Sequence, residues 1–197
     1  MRKNMKNHSE HLAMPHFSRY SDTYIKLSKH RVIFVAEDFT AKMGADLSAV
    51  LLYLDHEDHA APIEIYIHSQ GGEISGLFNI YDVIQMISAP VKTICVGKCY
   101  SAGAMLLAAG TKGQRFAMKN SSIMIHGIQM GFPIPGEDTT NSKNLFKYLE
   151  EHNDSFIKIL ANHTGHSFEK VKQDCLQDLW MTPKQALEYG IIDGIIQ

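Results

Sequence analysis

Residues Ile63 to Gly110 read IEIYIHSQGGEISGLFNIYDVIQMISAPVKTICVGKCYSAGAMLLAAG. Ile63, Ile65 and Ile67 alternate with Glu64 and Tyr66, which predicts a strand over Ile63–His68 with one apolar side. Gly71-Gly72 then predicts a tight turn, because glycine takes φ > 0 without steric cost. The period changes next. Leu77, Ile80, Tyr81, Ile84 and Ile87 recur at helical spacing, and Pro90 is expected to end that helix. Val91–Val96 is apolar throughout and predicts another strand, which feeds Ser101 and a run of small and apolar residues. Strand, helix, strand, helix in this order predicts an α/β fold with a largely parallel sheet.

Outward from this stretch the alternation continues. Arg31–Ala36 (RVIFVA) predicts a strand, and Leu47, Val50, Leu51 and Leu54 mark the buried face of the following helix. QRFAM and SIMI, between Gln114 and Ile125, predict two short strands. Gly127–Asn141 holds Gly131, Pro133, Pro135 and Gly136 and reads as a loop or extended arm. A long amphipathic helix then carries Leu145, Leu149, His152, Phe156 and Leu160, and a further helix is expected from near Ser167. The last helix is punctuated by Thr182 as N-cap, Pro183 in the first turn, Gln185 closing a capping box and Gly190 as the stop. There is no internal repeat, low-complexity tract or domain boundary.

The chain has 197 residues, 45% of them hydrophobic, and a formal net charge of −2. That is enough for one sizeable core, and the balance argues against a whole-domain basic field for nucleic acid. The apolar run Ala102–Gly110 is too short for a bilayer span, which takes about 20 residues. Residues 1–22 begin MRKNMKNHSEHLAMPHF, with no apolar core of a secretory signal, and read as a flexible arm or propeptide before a domain over 23–197. Three cysteines, Cys95, Cys99 and Cys175, imply a reducing compartment, so the cytoplasm is the expected location.

Ser101 falls at a strand-to-helix junction, where two readings stand side by side. A serine there is commonly an N-cap. The same position suits a nucleophile, since free N–H groups nearby can stabilise an oxyanion and Ala102, Gly103 and Ala104 leave room for a substrate backbone. A nucleophilic serine needs a base. Of eleven histidines His126 is best placed, at the end of SIMI and before Gly127. Spacing leaves the orienting acid open among Asp174, Asp178 and Asp193. Gly71-Gly72 reads as a turn, or as exposed backbone for an extended peptide. DHEDH (Asp55–His59) and the N-terminal His8, His11 and His16 have metal-binding residue types, but they fit a solvated connection and a flexible arm; no metal is expected.

The block IEIYIHSQGGEISGLFNIYDVIQMISAPVKTICVGKCYSAGAMLLAAGTKGQRFAMKNSSIMIHG, Ile63–Gly127, resembles the proteolytic-subunit family of the caseinolytic protease, ClpP. The C-terminal block HTGHSFEKVKQDCLQDLWMTPKQALEYGIIDGII is also similar, and the likeness runs from about Tyr24 to the end. The resemblance implies a crotonase-like spiral of ββα units with a helical handle. It implies a serine endopeptidase with Ser101 as nucleophile, His126 as general base and Asp178 as the acid that orients the imidazole. Gly72 and Ala102 would supply the oxyanion-hole amides, and peptide would add as a strand beside Gly71-Gly72. It further implies a homo-oligomer of heptameric rings, stacked as a tetradecamer. An AAA+ unfoldase of the ClpX or ClpA/ClpC type would feed it, with no cofactor in the peptidase itself.

Several positions depart from the family's pattern. The usual Asn-Ser-Pro-Gly-Gly is His68-Ser69-Gln70-Gly71-Gly72, and the usual Ala-Ser-Met-Gly-Ala is Tyr100-Ser101-Ala102-Gly103-Ala104. Gln177 replaces the arginine used in ring-to-ring pairing, and the interval from His126 to Asp178 is longer. Glu64 stands where an aromatic lines the unfoldase-docking cleft, beside Tyr66 and Met86, so weaker docking is expected. These changes suit a divergent member. The alternatives are a catalytically weak or inactive ring partner of another subunit, and an acyl-CoA hydratase or isomerase, which shares the spiral but needs no Ser-His-Asp set.

Overall fold

The strand Val91–Tyr100 changes neighbours halfway along its ten residues, so that one strand serves two others in turn. A computed structural model describes residues 21–128 and 139–197. In chain order the elements are α1 (Ser21–Ser28), β1 (Val32–Val35), α2 (Ala41–Glu57), β2 (Ile63–Ser69), α3 (Ile74–Met86), β3 (Val91–Tyr100) and α4 (Ala102–Ala108). There follow β4 (Arg115–Met118), β5 (Ser122–Ile125), α5 (Thr139–Thr164), α6 (Phe168–Asp174), β6 (Leu179–Met181), α7 (Pro183–Tyr189) and β7 (Gly194–Ile196). The main path β1-β2-β3-β4-β7 is parallel throughout. Thr93–Cys95 of β3 pair with β4, whereas Lys98–Tyr100 pair with β5, and β5 pairs antiparallel with β6. This is an α/β architecture that fits the spiral implied by the resemblance.

The expected β3 stops at Val96, but the strand runs to Tyr100. Gly97 is the reason: at φ 80° it interrupts the alternation while the chain changes partners, so the sequence looks like a turn where the strand continues. β6 and β7 are missed for a related reason. Three residues are too few to show a period, and β6 exists only because β5 offers it an edge. Pro90 does not end α3. That helix stops at Met86, and the link is held by Asp55, whose Oδ1 accepts the N–H groups of Ser88 (3.0 Å) and Ala89 (2.8 Å).

Ile63, Ile65 and Ile67 of β2 join Leu51, Leu54, Leu77 and Ile80 of the helices in one buried cluster. α4 lies at its centre with every residue buried, so it is apolar on all sides. The long helix α5 divides in two. Phe156, Ile157 and Leu160 are buried near its C-terminal end, whereas Leu145 is 48% exposed. The expected stripe therefore holds only over the second half, where the core is there to receive it. Of the arm assigned to residues 1–22, residues 1–20 lie outside the described chain, as do 129–138 of the expected loop. The capping box of α7 forms as its sequence dictates: Thr182 Oγ1 accepts the Gln185 N–H and Gln185 Oε1 accepts the Thr182 N–H.

Candidate active site

Ser101 is placed by the sheet. Its N–H donates to the Met124 carbonyl at 2.8 Å, continuing the β3–β5 ladder one step past the Tyr100–Met124 pair. Its backbone then turns sharply, with φ 53° and ψ −118°, a region that L-residues rarely occupy. The side chain makes no capping hydrogen bond. Ser101 thus holds the N-cap position of α4, its carbonyl accepting the Ala104 and Met105 N–H groups, but the side-chain bond that the N-cap reading expects is not formed.

The Gly71-Gly72 turn lies against this junction. A Cβ on Gly71 would come within 2.8 Å of Ser101 Cβ, and one on Gly72 within 2.3 Å of the Phe39 oxygen. Gly71 O accepts the Phe39 N–H and Phe39 O accepts the Glu73 N–H, both at 2.8 Å. In a parallel bridge of this kind the N–H of Gly72 points away from Phe39. Ser69, fully buried, accepts the Gly71 N–H on Oγ at 3.1 Å and braces the turn. Sequence reading missed Ser69; a hydroxyl two residues before a turn glycine was the available signal.

His126 follows β5 directly, and Asp178 directly precedes β6. The last antiparallel pair of these strands is Ile125–Leu179, and His126 and Asp178 are the next residue of each chain segment beyond it. Ser101, Ala102, Gly72 and His126 line one cleft of about 540 Å³, with Ile74, Ile128, Leu149 and Phe156 as its apolar wall. His126 and Asp178 line an adjoining cleft of about 530 Å³ with Asn153, Lys172 and Gln177. Among the described residues no hydrogen bond joins Ser101 to His126 or His126 to Asp178; resting sites often tighten only around substrate.

The other two aspartates have different partners. Asp193 Oδ1 and Oδ2 accept from Arg115 Nη2 (2.6 Å) and Nε (2.8 Å). Asp174 accepts from Lys170 Nζ (2.6 Å) and Tyr189 Oη (2.7 Å). Burial opposes ionisation of both carboxyls, but these donors outweigh it and hold each below the ordinary carboxylate range. The cysteines are buried thiols, and burial, with the Asp174 charge, pushes Cys175 up to about 12.

Two of the expected docking residues, Glu64 and Tyr66, are in contact. Tyr66 Oη donates to Glu64 Oε2 at 3.0 Å, and Lys92 Nζ lies 3.1 Å from Glu64 Oε1. Glu64 is therefore not the bare carboxylate the sequence suggests, because Lys92 on the neighbouring strand balances it. Met86 lies in the last turn of α3, 66% exposed. Asp55 of the DHEDH stretch serves the α3–β3 link described above and contacts His59 at 3.3 Å. Among the described residues no cluster of three metal-binding side chains is present, and no helix is long and apolar enough to cross a membrane.

The model of the family described as Clp protease matches residues 15–197. The ATP-dependent Clp protease proteolytic subunit 2 of Prochlorococcus marinus (strain MIT 9312) is 37% identical over 183 residues, 91% of this chain and 88% of the relative. The ATP-dependent Clp protease proteolytic subunit 3 of Synechococcus sp. (strain CC9605) is 37% identical over 181 residues, 90% of this chain and 88% of the relative.

Proposed function

The chain belongs to the Clp protease family, and from that premise we propose that it is a serine endopeptidase that cleaves unfolded polypeptides. The observation that carries the reading is the convergence of Ser101, His126, Gly72 and Ala102 on one cleft. His126 takes the Ser101 proton as the oxygen attacks the peptide carbonyl, and later returns it to the leaving amine. Asp178 holds the imidazole tautomer. The Gly72 and Ala102 amides receive the developing oxyanion. Peptide lies as an added strand along Gly71-Gly72, so recognition runs mainly through its main chain.

The same reading makes the chain a cytoplasmic ring subunit, seven to a ring and two rings stacked, supplied by an AAA+ unfoldase. Glu64, Tyr66 and Met86 are the proposed docking surface. A second reading, a ring partner with a silent site, draws support from the unjoined Ser101, His126 and Asp178 side chains. One experiment separates the two. A fluorophosphonate probe should modify Ser101 in the wild type and not in Ser101→Ala, with peptide hydrolysis lost in parallel. A wild type that neither labels nor hydrolyses peptide in the assembled state would leave only the silent subunit.

A further inference from the structure

The backbone just past His126 is gripped from two sides. The N–H of Gly127 donates to the Cys175 carbonyl, and the N–H of Ile128 donates to Asn153 Oδ1, both at 2.8 Å. Cys175 ends α6, shortly before Asp178. Asn153 belongs to α5, whose Leu149 and Phe156 wall the cleft. A Cβ on Gly127 would stand 3.0 Å from Asn153 Oδ1 and 3.2 Å from the Cys175 oxygen, so the glycine lets both acceptors close in. Beside this grip Lys172 Nζ reaches Asp154 Oδ1 at 3.2 Å and ties α6 to α5.

We infer that Asn153 is a positioning residue for His126: its side-chain oxygen fixes the segment after the histidine against the helix that walls the cleft. The inference deepens the hydrolase reading and rests on it. β5 ends at Ile125, so the segment carrying His126 has left the ladder that aligns Ser101. Asn153 supplies the acceptor that a neighbouring strand no longer gives. Without it the part-buried Ile128 N–H loses its partner and the segment keeps one main-chain tether, at Gly127. A general base works only within a narrow range of positions, and a displacement of about 1 Å can cost about 100-fold in rate.

The neutral amide also matters. Glu73 at the start of α3, Glu150 and Asp154 of α5, Lys172 of α6 and Asp178 are the charged groups lining the two clefts that meet at His126. An aspartate at 153 would accept the same N–H but add a negative charge that favours imidazolium, the form unable to take a proton from serine.

The test compares the assembled full-length wild type with Asn153→Ala and Asn153→Asp. It measures kcat, KM and the pH–rate profile on a fluorogenic peptide, and hydrogen exchange of the segment spanning 126–128. Asn153→Ala should lower kcat about tenfold with KM within about twofold, and speed exchange at Ile128. Asn153→Asp should keep that amide protected and move the acid limb of the profile to higher pH. Unchanged kcat or unchanged exchange in Asn153→Ala, or an unmoved acid limb in Asn153→Asp, would overturn the inference. If Asn153→Ala fails to assemble, the Asn153→Asp profile decides. Labelling of Ser101 in the wild type separates the two possible failures. Labelling with an unaffected Asn153→Ala removes only the role of Asn153, whereas absent labelling and hydrolysis remove the hydrolase reading and this inference with it.

Discussion

Gly71 packs closely against Ser101: a Cβ on the glycine would lie 2.8 Å from the serine Cβ and 3.2 Å from the Ala102 nitrogen. Gly71 also holds φ 108°, which L-residues rarely adopt. This packing brings Gly72 and Ala102 to the same cleft as Ser101. Gly71→Ala must push the two turns apart, because the added methyl meets the Ser101 Cβ, which is fixed to the main chain, and the backbone of Tyr100 and Ala102, so no flexible side-chain end can yield. Fluorophosphonate labelling and peptide hydrolysis should fall about 100-fold or more, as expected for a misplaced reacting group. Retained activity in this variant would remove the argument for close apposition.

Ser101 carries its own strain. A serine at φ 53° and ψ −118° adopts a conformation natural to glycine. Ser101→Gly should therefore abolish hydrolysis yet stabilise the fold by about 1 kcal/mol, the strain being of the order of 1–3 kcal/mol and offset in part by unfolded-chain entropy. Chemical denaturation at fixed protein concentration would measure this. A destabilised Ser101→Gly would mean that the hydroxyl contributes more to folding than its lack of a capping bond suggests.

The three aspartates should separate cleanly. Asp178→Asn should cut kcat by a factor on the order of 100 to 10,000 with little change in melting temperature, as for the orienting acid of a triad. Asp174→Asn should do the reverse, because its oxygens accept from Lys170 and Tyr189 and it does not line the cleft beside His126. Steady-state kinetics and thermal melts on both variants check this. Equal losses of activity would return the choice of acid to the open state that the sequence leaves.

Asp193 predicts a pH effect on stability. Burial raises its pKa, but hydrogen bonds and charge from Arg115 and the Gly113 amide lower it further, so the net shift is downward. A carboxyl depressed in the fold contributes stability above its unfolded value, near 3.9, and loses it as pH falls through the folded value. Arg115 is 4% exposed, so Asp193→Asn leaves a buried cation with a weakened partner and should cost about 3 kcal/mol near neutrality. The gap between the melting curves of wild type and variant should narrow below about pH 4. A gap that is constant from neutrality to acid would contradict the ion pair.

Thr182→Ala removes one half of the α7 capping box and should lower stability by about 1 kcal/mol without altering kcat. Thermal denaturation and peptide hydrolysis on the same preparation check both parts.

What the sequence determined by itself is the set of features written in neighbouring residues. The alternation of Ile63–Ile67, the helical recurrence through Leu77, Ile80 and Ile84 and the Thr182–Gln185 box all rest on contacts a few residues apart, so local pattern is enough to read them. Ser101 and His126 were visible as residue types at element ends, and the family likeness singled out Asp178 where spacing left three acids open. The tertiary structure alone decided the rest. It carried β3 through Gly97 to Tyr100, created β6 by giving it an edge, left the first half of α5 without a core, balanced Glu64 with Lys92 and set Asn153 Oδ1 against the Ile128 N–H. Each of these depends on a partner far along the chain, and packing, not local propensity, selects such partners.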